Sequence, residues 1–205
     1  MAKKPSKDER ISVNLHEEWL DTPSPFDSLD DDWNNIIRFY VFHVPVEGVS
    51  ARAKTLKQFG WGNKSKCSDF KLLKARLIEV AQLNGKQIDS VEKCDEMKRA
   101  LIDNNLEVFP SDYTTVRLTF RKDKSGICES LCNHIRNSFA HGRVAFYENA
   151  GETYVAMEDI DTDHDVTARL ILTKTILLRW IVVIKEGPFI DKNDLYKKCG
   201  LEVEI

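Results

Sequence analysis

Arg136, Asn137 and His141 fall within one short stretch, CNHIRNSFAHGRV, from Cys132 to Val144. A guanidinium is a permanent charge with a planar fork of donors, and an imidazole gives or takes a proton near neutral pH. Side by side they could hold an anion and move a proton next to it. The same residues also suit the end of an ordinary helix, with Gly142 just past the last turn and cations near the terminal carbonyls. The residue types alone leave both readings open.

Geometry sharpens the first reading. On a helix from Lys124 to His141, turning about 100° per residue, Ile127, Cys128, Leu131, Cys132, Ile135 and Phe139 share one arc. That arc predicts the core face. Asn133, Arg136, Asn137 and His141 take the opposite arc, with His134 near its edge. Asn137 and His141 are four residues apart, so the amide can set the orientation of the imidazole. Arg136 and His141 are five apart, about 140° around the axis and about 7.5 Å along it, so they do not meet on one straight helix. A shared substrate then needs a long reach by the arginine, or two copies facing each other across a twofold axis.

At these residues the chain resembles the HEPN superfamily, whose arginine, polar residue, spacer and histidine are matched by RNSFAH. The resemblance extends from roughly Lys124 to Lys185, and within the superfamily it is nearest to small stand-alone bacterial ribonucleases and toxin-like proteins. It implies a metal-independent endoribonuclease that needs no cofactor and works as a homodimer with a composite site. Arg136 would bind the scissile phosphate, His141 would act as general base or acid, and Asn137 would orient His141 or the substrate. RNA would be cut to leave a 2′,3′-cyclic phosphate, in toxin or phage-defence physiology, with an antitoxin or defence-system protein as a further partner. Members modified by a nucleotidyltransferase carry tyrosine two residues after the histidine, where this chain has Arg143. The alternative is a non-catalytic HEPN-like module that binds nucleotide, RNA or a protein through the same face.

Positive charge gathers around the motif. Arg117, Arg121, Lys122, Lys124, Arg136 and Arg143 lie close in sequence with few acids among them, and Arg121, Lys122, Lys124 and Arg143 are candidates to contact RNA. Any such contact must be local, because 30 Lys and Arg against 33 Asp and Glu leave a net charge of −3 over 205 residues. The aspartates of EDIDTDHD lack the glycine and the closing glutamate of a calcium loop, so Asp165 reads as a helix cap. Cys128, Cys132 and His134 have no second ligand pair at zinc spacing, and the two cysteines read as core residues. Trp19, Trp33, Trp61 and Trp180 read as packing anchors, with Trp61 also able to stack on a base if exposed.

The elements that position the motif follow from hydrophobic periodicity. A polar N-terminal tail or arm over 1–30 precedes a single domain over 31–205. Helices are predicted from Trp33 to Val41, briefly from Ala51 to Phe59, from Ser68 to a cap at Asn84-Gly85, and from a Ser90 cap to Ile102. YTTVRLTF suits a short strand or connector, and RVAFYENAGETYVAMED suits a β-hairpin turning around Glu148 to Gly151. Val166 to Ile184 is nearly apolar throughout and is predicted as one buried final helix. The expected fold is mainly α, a HEPN-like helical bundle with a β-hairpin between the motif helix and the last long helix. The five cysteines without pair spacing and the charged N-terminus without an apolar run predict a reduced, cytoplasmic protein with no membrane span.

Overall fold

The computed structural model describes residues 30–50, 53–62, 68–85, 87–107, 114–124 and 126–202. The predicted tail lies outside these residues apart from Asp30, as do Ala51 and Trp19. The fold is mixed α/β rather than a mainly α bundle, because a five-stranded sheet runs through its centre.

The error traces to two segments. Val166 to Ile184 is not one helix but strand β5 (Val166–Thr173) followed by a helix (Lys174–Glu186). Every residue of the strand is buried. A strand covered on both faces shows a continuous apolar run, which periodicity cannot tell from a buried helix. The junction is marked by Thr173, whose hydroxyl accepts from the Ile176 amide at 3.1 Å, so Thr173 caps this helix and Asp165 does not. Likewise Ser90 caps nothing: Ile88–Val91 is strand β1, and helix α3 (Cys94–Asp103) starts after Lys93.

The other elements fall close to expectation. Helix α1 (Asp31–Ile37) continues into a π-helical turn, Arg38–Phe42, and ends ahead of Pro45. Among the described residues of the second predicted helix, Leu56–Phe59 alone is helical, as a 3-10 turn. Helix α2 (Ser68–Val80) stops short of Asn84, with Gln82 at φ 55 and the Leu83 amide bonded to the Ile78 carbonyl at 3.0 Å. Strand β2 (Arg117–Arg121) occupies the β-branched stretch, and the motif helix α4 (Ile127–Ala140) follows. Strands β3 (Val144–Asn149) and β4 (Glu152–Ile160) form the predicted hairpin around Ala150 and Gly151, both at positive φ. Helix α5 (Lys174–Glu186) and a short α6 (Lys192–Lys198) close the chain.

Strand order is β1-β2-β5-β4-β3, parallel between β1 and β2 and antiparallel elsewhere. Side chains alternate between the two faces of the sheet. Leu118, Phe120, Val155, Met157, Ala168, Leu170 and Leu172 join the main core with α1, α2, α4 and α5. Ile171 and Val166 join a smaller core with Met97, Leu101 and Leu106 of α3 and the residues after it. Trp33, Trp61 and Trp180 are buried anchors, and Trp61 donates its indole N–H to the Ile184 carbonyl at 3.0 Å rather than facing a base. No helix among the described residues is long and apolar enough to cross a membrane.

Candidate functional site

Helix α4 lies across the sheet with the expected face inward: Cys128, Leu131, Cys132 and Ile135 are buried in the main core. It ends as its sequence predicts. His141 is the C-cap, Gly142 follows at φ 65, and the Arg143 amide returns to the Ser138 carbonyl at 2.8 Å. This stop leaves His141 exposed at the helix end, while Arg136 and Asn137 are half-buried one turn earlier.

The polar contacts differ from those expected. Asn137 does not hold His141. Its Nδ2 donates to Asp159 Oδ2 at 3.2 Å, and its Oδ1 accepts from Arg136 Nη1 at 3.0 Å. Among the described residues no hydrogen bond joins the His141 ring to Arg136 or Asn137. Arg136 and Asn137 are brought together, and His141 stands apart from them.

His134 is not at the edge of the polar face but buried. Its Nδ1 lies 2.7 Å from Asp159 Oδ2 and its Nε2 lies 2.7 Å from the Arg121 carbonyl. Carboxylate and carbonyl are both acceptors, so facing an ionised Asp159 the ring satisfies both when each nitrogen carries a proton. His134 and Asn137 are three residues apart on one ridge of α4, and both reach the same oxygen of β4. Together with the Arg121 carbonyl, these bonds tie the motif helix to β2 and β4.

Asp159 was missed in the sequence, though a signal for it exists. Along β4, Val155, Met157 and Asp159 point the same way, and an acid in step with core residues must meet a polar partner. Reading the hairpin only as a hairpin hides that requirement.

Arg136 keeps one unusual group. Among the described residues its Nε is buried with no hydrogen-bond partner, while Nη1 is engaged by Asn137. A buried N–H without an acceptor costs about 1–3 kcal/mol, so a group left this way marks a place where an acceptor from outside would be stabilising.

The basic cluster is largely neutralised. Arg121 pairs with Asp161 at 3.3 Å, Lys122 with Glu92 at 2.7 Å, and Arg143 with Glu158 at 3.4 Å. Arg117 reaches the Asn104 carbonyl at 3.5 Å. These acids come from the residue after β1, from β4 and from the turn after β4, far from the cations in sequence, so local composition did not reveal them. Lys124 remains exposed on the rim of an open cleft of about 670 Å3, lined also by Glu92, Arg121, Lys122, Asp123, Gly126 and Ile127. The aspartate-rich turn serves the fold as well: Asp161 Oδ1 accepts from the amides of Asp163 and Asp165, each at 3.0 Å.

Comparison with known proteins finds no family model, no curated protein and no solved structure that matches this chain.

Proposed function

We propose that the protein is a metal-independent endoribonuclease in which Arg136 grips the scissile phosphate and His141 moves the proton. The observation that carries this reading is the buried, unpartnered Nε–H of Arg136 on a guanidinium already oriented by Asn137. Such an arrangement suits an oxyanion, and a phosphate is one of the anions that a guanidinium fork recognises. The resemblance of RNSFAH to the HEPN motif supports the same reading.

In the reaction the RNA 2′-oxygen attacks phosphorus and the bond to the 5′-oxygen breaks. The 2′-hydroxyl proton goes to a base, and a proton is delivered to the leaving oxygen. An imidazole can serve either transfer. Negative charge builds on the non-bridging oxygens, where the Arg136 guanidinium would be worth most. The products are a 2′,3′-cyclic phosphate and a 5′-hydroxyl. Because Asn137 turns toward Asp159 and Arg136 rather than His141, the two catalytic groups are best joined across a homodimer, one from each protomer. A toxin or phage-defence role in the cytoplasm, with a cognate inhibitor, fits this activity.

The test is RNA cleavage in EDTA by the wild type, Arg136→Ala and His141→Ala, each first verified as folded. Cleavage by the wild type alone, with cyclic phosphate ends, is expected. RNA or nucleotide bound without turnover would replace this reading with a binding module.

A further inference from the structure

Asp159 lies outside the Arg136 to His141 motif, on a different element, yet two polar side chains of the motif helix converge on its Oδ2. It is 4% exposed, so the carboxylate cannot turn to water for other partners. We propose that Asp159 is a positioning residue for Arg136, acting through the amide of Asn137. The kinetic part of this inference rests on the ribonuclease reading; the placement of the guanidinium does not.

A carboxylate only accepts, so it dictates which end of the Asn137 amide faces it. The NH2 group turns inward to Asp159, and Oδ1 is thereby presented outward to Arg136 Nη1. An amide without that anchor has two orientations, and in one of them its NH2 would meet the guanidinium, donor against donor. The carboxylate is itself held by His134, whose second ring nitrogen is fixed on the Arg121 carbonyl. Orientation therefore passes from β2 and β4 through Asp159 and Asn137 to the arginine. The effect is to keep the Arg136 fork in one place before substrate arrives, which spares that reorganisation at the moment of reaction.

The experiment uses the full chain as wild type, Asp159→Asn, Asp159→Ala, Asn137→Ala and the Asp159→Ala/Asn137→Ala double variant. In nitrogen-edited NMR the wild type should show a separate, slowly exchanging Arg136 Nε–H signal, identified by its loss in Arg136→Lys. Asp159→Asn should keep the signal, because an amide oxygen can stand where Oδ2 stands and accept from the same two donors. Asp159→Ala and Asn137→Ala should lose it.

In cleavage, Asp159→Ala and Asn137→Ala should each lower kcat by about 10- to 100-fold, the scale of a displaced reacting group, with KM changed less than about 3-fold. The double variant should be no slower than Asn137→Ala alone, as expected of residues acting in series. If Asp159→Ala does not fold, Asp159→Leu with His134→Leu replaces the buried pair by apolar groups and removes the same anchor.

An Arg136 signal unchanged by loss of Asp159, or effects of the two alanines that multiply, would overturn the positioning role while leaving the ribonuclease reading in place. A wild type that binds RNA but never cuts it would remove the ribonuclease reading, and the NMR pattern alone would then decide the role of Asp159.

Discussion

Glu158 and Arg169 stand directly opposite one another on β4 and β5 and form an ion pair of 2.9 Å with each residue 1% exposed. The arginine also donates to the Leu106 carbonyl at 2.8 Å and to the Glu107 carbonyl, and Arg143 reaches the other oxygen of Glu158. Asp159, the next residue along β4, points to the opposite face and serves the motif helix. Adjacent acids on one strand thus anchor the two sides of the sheet.

Breaking this pair from one side leaves a buried charge. Arg169→Met or Glu158→Leu alone should destabilise the fold by about 3–5 kcal/mol. The double replacement should recover most of that loss, because the apolar pair carries no desolvation penalty. Urea denaturation of the three variants measures this, and a double variant as unstable as the sum of the singles would contradict it.

The proposed assembly of the site from two protomers can be tested by subunit mixing. Mixing unfolded Arg136→Ala with unfolded His141→Ala and refolding them together should restore about a quarter of wild-type cleavage. Half of the randomly assorted dimers then carry one intact site of two. No recovery in the mixture would put Arg136 and His141 of one protomer in the same site.

The cysteines of the motif helix should be inert. Burial pushes the Cys128 thiol up to about 12, with Lys74 opposing and Glu129 adding to the shift, and burial raises the Cys132 thiol as well. At pH 8 only about one Cys128 in ten thousand is then a thiolate. Iodoacetamide should leave both unmodified in the native protein and label both in urea. Labelling of native Cys128 at the rate of a free thiol would show that α4 opens from the core.

Acid should weaken the contact between α2 and α6. Burial tends to raise the Glu79 carboxyl, but hydrogen bonds from Lys192 at 2.6 Å and from the Tyr196 hydroxyl at 2.6 Å outweigh it and hold the group below its ordinary value. A depressed folded-state value means stability that is present above the unfolded pKa and lost as pH falls through the folded one. Melting temperatures of the wild type and Glu79→Gln should differ at pH 7 and converge between about pH 5 and pH 3. A gap that stays constant over this range would remove Glu79 as the titrating group.

Local chemistry was legible wherever a segment carried its own instruction. The inward arc of α4, its stop at His141-Gly142, the hairpin over Ala150 and Gly151, and the first helix ending ahead of Pro45 all follow from periodicity, turn residues and caps in the chain itself. The sheet did not follow, because a strand buried on both faces, Val166–Thr173, lacks the alternation that marks a strand and becomes one only when β2 and β4 pair with it. The site divided along the same line. Arg136, Asn137 and His141 could be found as a motif, since helical spacing alone sets them on neighbouring turns. Which of them touch was decided by a carboxylate twenty-two residues from Asn137, and the neutralisation of Arg121, Lys122 and Arg143 was decided by Asp161, Glu92 and Glu158 from other strands and turns. Hydrogen bonds and ion pairs act over a few ångströms of space whatever the separation along the chain. Only the pairing of the strands brought those partners within reach.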